Sequence, residues 1–155
     1  MRRQKLIVML NRFLALEMQQ VALYRRQAQW TADPHLARAL QLFAVIEDGH
    51  VKNLRREIKR LGGNFSYYIG ASDNVGDLLG WASRVPGISP MLRLNVIIEG
   101  RAARDYAGLI ANVAPGPTRE MLWQHQLEEE LHKAWMESYL RQRIGKRGKA
   151  KQRGE

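Results

Sequence analysis

The sequence contains no cysteine. This absence excludes disulfide bonds, thiolate metal sites, iron–sulfur ligation and a thiol nucleophile, because all of them need the Cys side chain. Any metal site in this chain must therefore be built from histidine and carboxylate side chains. The missing cysteine does not by itself decide the redox compartment.

Long apolar runs are also missing. The N-terminal stretch MRRQKLIVMLNRFLALEMQQ is interrupted by Asn11 and Arg12 and has no small-residue cleavage signal, which disfavours a signal peptide. No run approaches the roughly 20 apolar residues that a membrane span needs. The length of 155 residues is typical of one domain. We expect a soluble cytoplasmic protein, with peripheral membrane association left open.

Acidic residues are scarce, at 15 against 25 basic residues, and the excess charge lies at the two ends. Residues 2–5 hold three basic residues, and residues 141–155 hold seven together with one acid. The tail 144–155 is basic and almost free of apolar residues, so we predict that it is disordered. Such a tail is typical of an arm for nucleic acid or anionic lipid, or of a solubilising segment. The lack of interleaved aromatic residues disfavours nucleic acid.

Four long helical patterns fill the rest of the chain, at about 5–30, 34–61, 90–113 and 117–143. Asp33-Pro34 and Ser89-Pro90 predict helix starts, and Gly62-Gly63 predicts a stop. The links at 31–33 and 114–116 are short and make antiparallel neighbours, whereas the link after Gly62 is long. We predict an all-α protein, with residues 1–143 forming an antiparallel four-helix bundle with one long crossover between helices 2 and 3.

Each helical pattern places a glutamate in its apolar stripe. These glutamates are Glu17, Glu47, Glu99 and Glu129. Two of them continue as Glu-x-x-His, which adds His50 and His132. Residues three apart on a helix project to the same side, so each Glu-x-x-His pair can bind a single ion.

The pattern occurs twice, with a spacing of 82 residues. Glu17, Tyr24, Glu47 and His50 recur as Glu99, Tyr106, Glu129 and His132. The two halves look like copies of one helical hairpin, related by an approximate twofold axis. A single Glu-x-x-His is a weak signal, but the repeated set is a strong one.

Charge favours a metal centre. Four ionised carboxylates in an apolar interior would each cost several kcal/mol, on the order known for buried ions, whereas two divalent cations would balance them. Oxygen-rich sites with one imidazole per ion suit iron or manganese better than structural zinc. We therefore predict two iron ions per chain, with manganese as the alternative, bound by the two histidines and four glutamates.

Further residues lie on or near the site face. Four are candidates to support the ligands by hydrogen bonds or packing: Tyr24, Tyr106, Gln20 and His125. For each of them, ordinary packing or a plain polar position is the competing interpretation. Three acids lie off the stripes and are predicted to be solvated: Asp48, Glu128 and Glu130. No acid–base dyad or nucleophile beyond the metal ligands is evident.

The segments EMQQVALYRRQA and EDGHVKNLRREIKRLGG resemble the ferritin-like superfamily, in its rubrerythrin-like and demethoxyubiquinone hydroxylase branches. The resemblance covers the chain to about Leu140 and implies a ferritin-like bundle in which Glu47 and Glu129 bridge the two ions. Glu17 with His50, and Glu99 with His132, would be terminal ligands. The segment GDLLGWASRVPG favours the hydroxylase branch, where the corresponding region contacts membrane and quinone.

This resemblance implies a di-iron oxidoreductase that activates O₂ or peroxide and oxidises an apolar, quinone-like substrate reached through a tunnel roofed by Leu78, Leu79 and Trp81. Lacking the cysteine-ligated iron domain of rubrerythrins, the chain would need a separate electron-donor protein. The first alternative is a ferroxidase or peroxide scavenger without an organic substrate, with a homodimer as one assembly. The second is a non-enzymatic binding module that metal stabilises. The basic, Gly-rich tail disfavours a ferritin storage cage.

Overall fold

The computed structural model describes residues 1–65 and 87–152, with side chains described as far as Arg143. Within these ranges the chain forms four α-helices and no strand. They are α1 (Arg3–Trp30), α2 (Pro34–Arg60), α3 (Ile88–Ile110) and α4 (Pro117–Gln152). The predicted all-α class is confirmed, and the four helices are consistent with a four-helix bundle.

Both ends of α2 form as the sequence predicts. Asp33 caps the helix by accepting hydrogen bonds from the backbone N–H groups of His35 and Leu36, both at 3.1 Å, and proline occupies the first turn. At the other end, Gly62 has a φ of 70°, in the left-handed region that favours glycine. Its N–H donates to the carbonyl of Lys59 at 2.8 Å, which closes the last turn.

Helix α3 begins and ends earlier than predicted. Gly87, with a φ of 92°, precedes the first helical residue, Ile88, so the predicted start at Ser89-Pro90 is wrong by two residues. Pro90 is tolerated there because N–H groups of a first turn have no partner within the helix. The helix ends at Ile110 rather than 113, because the N–H groups of Asn112 and Val113 donate to the carbonyls of Leu109 and Ile110, three residues back, and no longer follow the α-helical pattern.

Helix α4 continues beyond its predicted end at 143. Its backbone is helical to Gln152, in a stretch for which the sequence predicts disorder. Six of the nine residues 144–152 are Lys, Arg, Gln or Ala, which are good helix formers, and they extend a helix already formed by packing, whereas Gly145 and Gly148 disfavour helix. The low apolar content of residues 144–152 predicted disorder. Helix formation there is instead favoured because these residues continue a helix that is already packed against the rest of the protein.

Contacts between side chains define the helix arrangement. Helix α1 pairs mainly with α2, and α3 pairs mainly with α4. The Arg3 Nε donates to the carbonyl of Leu61 at 2.5 Å, which places the end of α2 beside the start of α1. Gln27, near the end of α1, pairs with Asn95, near the start of α3. The end of α2 and the start of α3 therefore lie at opposite ends of α1, about 40 Å apart.

The link between these ends is residues 66–86, which lie outside the described residues. The predicted short helix and the tunnel roof of Leu78, Leu79 and Trp81 fall on this link. They therefore remain predictions.

Two apolar clusters fill the core on either side of a polar layer. The lower cluster, beside the start of α1, includes Leu10, Leu14, Leu54, Ile58 and Leu122. The upper cluster, beside the start of α3, includes Leu36, Leu40, Leu92, Met136 and Leu140. Several members correspond across the 82-residue repeat, for example Leu10 with Leu92 and Leu40 with Leu122. The repeat is therefore visible in the packing as well as in the site residues.

One helix, α1, is long and apolar enough to cross a membrane by length and composition. Half of its most apolar 18-residue window is buried inside the protein, and a core helix passes the same test. This is weak evidence that fits a soluble or a membrane-associated protein equally well, so the expected location remains a prediction.

Candidate metal centre

The polar layer consists of six side chains that the structure brings together. Each helix contributes one glutamate, and α2 and α4 each add one histidine: Glu17, Glu47, His50, Glu99, Glu129 and His132. None of the six is more than 2% exposed. The stripe positions read from the sequence therefore all point to one place in the core.

These side chains form two overlapping groups of potential metal ligands. The His50 group is Glu17, Glu47, His50 and Glu129, and the His132 group is Glu47, Glu99, Glu129 and His132. Within each group, one ligand atom from every residue lies within 4.8 Å of those of the other three. Glu47 and Glu129 belong to both groups, as two shared carboxylates would in a two-ion centre.

Glu47 lies between the two imidazoles. Its Oε2 is 2.9 Å from His50 Nδ1, and its Oε1 is 3.0 Å from His132 Nδ1. Both histidines therefore present the same ring nitrogen to the centre. One carboxylate contacting both rings has the geometry required of a bridge between two neighbouring ions.

Among the described residues, many atoms of the centre are buried and make no well-aligned hydrogen bond, even where a nitrogen and an oxygen lie about 3 Å apart. They are Glu17 Oε2, both oxygens of Glu47, His50 Nδ1, Glu99 Oε2, Glu129 Oε1, and both ring nitrogens of His132. A buried polar atom without a partner costs about 1–3 kcal/mol, and more when it is charged. So many such atoms in one place fit a site whose remaining partners are metal ions.

Several carboxyl groups lie close together in the buried centre, and three of them have raised pKa values. Burial, followed by the charges of Glu129 and Glu47, raises the pKa of Glu17 well above its usual range. Burial and the charges of Glu99 and Glu47 do the same for the pKa of Glu129. Burial also raises the pKa of Glu99 to about 7. Without cations, the cluster is neutralised partly by protons on these carboxyl groups.

Glu47 and His50 behave in the opposite way. Burial alone would raise the pKa of Glu47, but its contacts with His132 and His50 outweigh burial and lower it to about 2. Burial would likewise lower the pKa of His50, yet its contacts with Glu129, Glu17 and Glu47 raise it well above the ordinary value. An imidazolium at His50 thus supplies counter-charge when no cation is bound.

Two of the four predicted supporting residues hydrogen-bond the ligand carboxylates. The Tyr106 hydroxyl donates to Glu17 Oε1, and the Gln20 amide lies 3.3 Å from Glu99 Oε1 and 3.5 Å from Glu129 Oε2. Both residues are buried. They hold three of the four glutamates in fixed orientations.

His125, one of the four predicted supporting residues, is fully buried beside the centre. Its ring stacks on that of His50, with centroids 3.9 Å apart, and its Nδ1 lies 3.2 Å from the Tyr106 hydroxyl. Burial and then the His50 charge lower its pKa to about 3. With Glu17 and His50 it forms a third group of potential ligands. Its Nε2 lies 3.3 Å from the amide of Asn53, a residue that the sequence pattern did not reveal.

The prediction made for Glu128 is wrong. It was predicted to be solvated, yet its Oε2 lies 2.6 Å from His50 Nε2 and its side chain is only 26% exposed. Its position one residue before Glu129 turns it toward α2, where His50 lies. The hint in the sequence was its place four residues before His132, on the edge of the site face. Glu130, by contrast, is exposed as predicted.

Tyr24 is buried against the His132 side of the centre. Its ring lies edge-on to those of Phe43 and His132, with centroids 5.8 and 6.4 Å away. Its hydroxyl is buried and has no hydrogen-bond partner in residues 1–65 and 87–143, whose side chains the structure describes. The sequence places it as the equivalent of Tyr106, but only Tyr106 bonds a ligand carboxylate.

A polar surface pocket of about 350 Å³ lies beside the His50 group. Its lining includes Asn53, which contacts His125, and Gln124, which donates to Glu128 Oε1 at 3.1 Å. Glu57 and Glu120 also line it. The pocket is therefore separated from the ligands by only one layer of polar side chains.

No protein-family model matches the chain. No curated protein matches it in sequence either. The proposed class of protein therefore rests on the residues of the site.

Proposed function

We propose that this chain is a ferritin-like, non-haem di-iron carboxylate protein that activates O₂ or peroxide. The observation that carries the proposal is the pair of buried groups that share Glu47 and Glu129. Each group combines carboxylate oxygens with a single imidazole nitrogen, a donor set that suits iron or manganese. Two Glu-x-x-His pairs and two further glutamates, all projecting inward, are the ligand set of di-iron and di-manganese bundles.

Charge supports two divalent cations in this site. Four ionised carboxylates carry four negative charges, which two divalent ions would balance while the imidazoles remain neutral. The raised pKa values of Glu17, Glu99 and Glu129 show the cost of that charge when no cation is present. Metal ions would take the place of the protons on these groups, so binding should release protons.

When bound, iron would supply the redox chemistry with O₂ or peroxide. The protein side chains would orient the ligands and exclude water. Tyr106 and Gln20 hold the carboxylates of Glu17, Glu99 and Glu129 from outside. The two apolar clusters above and below close the centre off from solvent along the bundle axis.

We propose an apolar, quinone-like organic molecule as the substrate, with a separate protein as electron donor. The apolar side of the centre, formed by Phe43, Tyr24 and the upper cluster, supports a substrate of this kind. The second candidate is a ferroxidase or peroxide scavenger that acts without an organic substrate. The polar pocket supports it as an opening beside the His50 group, because its Asn53 and Gln124 contact His125 and Glu128. Its lining carries charge of both signs, with Glu120, Arg56 and Glu57, which pairs with Arg60.

Anaerobic Fe(II) titration, followed by O₂ or peroxide, tests the proposal. We expect two iron ions per chain and a transient visible absorption on oxidation. Glu47→Gln should reduce iron uptake sharply, because both groups lose a shared carboxylate. The matched control is Asp48→Asn, next along the helix, whose carboxylate pairs with Lys52 at 2.6 Å on the surface. Uptake that is unchanged in Glu47→Gln, or reduced equally in both variants, would contradict the proposal.

The same preparation separates the two candidate activities. O₂ consumption that requires both a reductant and an added quinone supports the organic substrate. Oxidation of many Fe(II) ions per chain without any such addition supports the ferroxidase.

A further inference from the structure

The two groups of the centre share a ligand pattern but not their surroundings. Across the 82-residue repeat, His125 and Glu128 correspond to Phe43 and Ile46. Asn53 corresponds in the same way to Trp135. The His50 group is thus surrounded by Glu128, His125 and Asn53, and the corresponding positions of the other half are apolar or aromatic. Polar residues next to the histidine ring are therefore found on the His50 side, whereas on the other side Gln20 contacts the carboxylates of Glu99 and Glu129.

The hydrogen bonds of the two histidines differ accordingly. His50 Nε2 lies 2.6 Å from Glu128 Oε2, so that a proton on Nε2 is donated to the carboxylate. Among the described residues His132 Nε2 is buried with no hydrogen-bond partner, and its ring packs on Phe43 with centroids 4.3 Å apart. Within the part of the chain that the structure describes, the outer ring nitrogen of His50 is held by a hydrogen bond and that of His132 is not.

This difference matters for metal binding. With its proton held on Nε2 by Glu128, the neutral His50 ring presents the lone pair of Nδ1 to Glu47, Glu129 and Glu17, at 2.9, 3.4 and 3.8 Å. A carboxylate behind a ligating histidine also makes the imidazole a stronger donor, and such partners are worth 10–100-fold in metal affinity. His132 has no equivalent support.

We infer that the two ion positions are inequivalent: the position at the His50 group fills first, and Glu128 is the positioning residue that makes it the tighter one. This inference rests on the proposed metal centre and adds an order of loading to it. Gln124 and the polar pocket lie on the outer side of Glu128, so the position that binds more tightly is also the one nearer to solvent.

Titration of the metal-free full-length chain with Co(II), followed by visible absorption, tests the order of loading. We expect two steps, the first at least about tenfold tighter than the second. Glu128→Ala should weaken binding at the His50 position by about 10- to 100-fold and leave the His132 position unchanged, so that the two steps merge or exchange order. Glu128→Gln keeps the shape of the side chain and should give an intermediate loss, which covers the case in which the alanine variant does not fold.

The control is Glu130→Ala, an exposed acid two positions away that accepts from Gln126 and does not contact the centre. It removes the same charge and should change neither step. Crystals carrying one Co(II) per chain provide the second measurement, since anomalous scattering should place the ion beside His50 Nδ1.

Two Co(II) ions bound with equal affinity, a single ion beside His132, or a first step unaltered in both Glu128 variants would overturn this inference while leaving the metal centre intact. If the wild-type chain binds no Co(II) and no Fe(II), the proposed metal centre is itself wrong and the inference falls with it.

Discussion

The His50 and His132 sides of the centre have equivalent ligands but different neighbours. Tyr106 on the first side donates to Glu17 and contacts His125, whereas Tyr24 on the second side has a buried hydroxyl without a partner. His50 stacks on His125, and His132 packs on Phe43 in the corresponding place. The repeat therefore preserves the inward-facing donors, and the residues directly behind them distinguish the two sides.

This contrast indicates that the two sides of the centre have different roles. Polar neighbours hold a ligand's orientation, whereas the packed apolar neighbours exclude water from the His132 side. The polar residues next to the imidazole rings lie on the His50 side, although Gln20 also bonds Glu99 of the His132 group. Each side can be altered without changing the other, which makes the comparison testable.

The largest effect should come from removing one histidine at a time. His50→Ala should abolish the tight Co(II) step, with a loss of more than about 100-fold, because a lost ligand exceeds the 10–100-fold effect of an outer partner. His132→Ala should abolish the weaker step and leave the tight one. Co(II) titration measures both. Loss of both ions in both variants would show that neither side can bind metal alone.

The pH dependence of the metal-free protein should be the next largest effect. Above about pH 6.5 the buried Glu17, Glu129 and His50 keep protons that the unfolded chain has lost, because their pKa values are raised. The free energy of unfolding should then fall by roughly 1.4 kcal/mol per pH unit for each such proton. The pKa of His125, lowered to about 3, gives an opposite slope only below pH 6.5.

Urea unfolding at about pH 6.5 and about pH 8, with and without Co(II), measures this effect. The Co(II)-loaded protein should not lose stability over this range, because cations have replaced the protons. Metal-free stability that rises with pH over the same range would show that the cluster is not held by protons.

The two tyrosines provide a smaller contrast. Tyr106→Phe removes the hydroxyl that bonds Glu17 and contacts His125, and should cost about 1–3 kcal/mol in the metal-free protein. Tyr24→Phe removes a hydroxyl without a partner and should be neutral or slightly stabilising. Urea denaturation of both variants measures the difference. Equal costs would mean that the hydrogen bond of Tyr106 contributes nothing net.

The smallest effect concerns a buried amide pair on the His132 side. Gln27 and Asn95 exchange two hydrogen bonds, at 3.0 and 2.7 Å, where the other half has Leu109 and Phe13. Gln27→Leu alone leaves Asn95 unsatisfied and should cost about 1–3 kcal/mol. The double variant Gln27→Leu/Asn95→Leu should recover most of that loss. If the double variant is less stable than the single one, the pair is not an isolated polar contact.

Much of the fold and of the site could be predicted because both depend on local periodicity. A stripe at helical spacing identifies the buried face, and Asp33-Pro34 and Gly62 mark helix ends through short-range hydrogen bonds. The start of α3 was harder, because Gly87 and Ser89-Pro90 are competing signals a few residues apart. The extent of α4 was missed because composition predicted disorder where propensity favours helix.

The surroundings of the ligands could not be predicted in the same way. Glu128 lies off the stripe of its own helix, and only the rotation of α4 against α2 brings it to His50. Asn53 and His125 likewise meet across two helices that are far apart in sequence. Side chains at the margin of a helical stripe turn toward solvent or toward a neighbour according to interhelical register, which no pattern within one helix records.

The sequence by itself determined the helical class and the six inward-facing side chains, because a residue's place on a helix face follows from its spacing alone. Only the tertiary structure decided which side of the centre is polar, because that depends on which residues of α2 and α4 lie opposite each other. Glu128 behind His50, with no equivalent behind His132, is the clearest result of that packing.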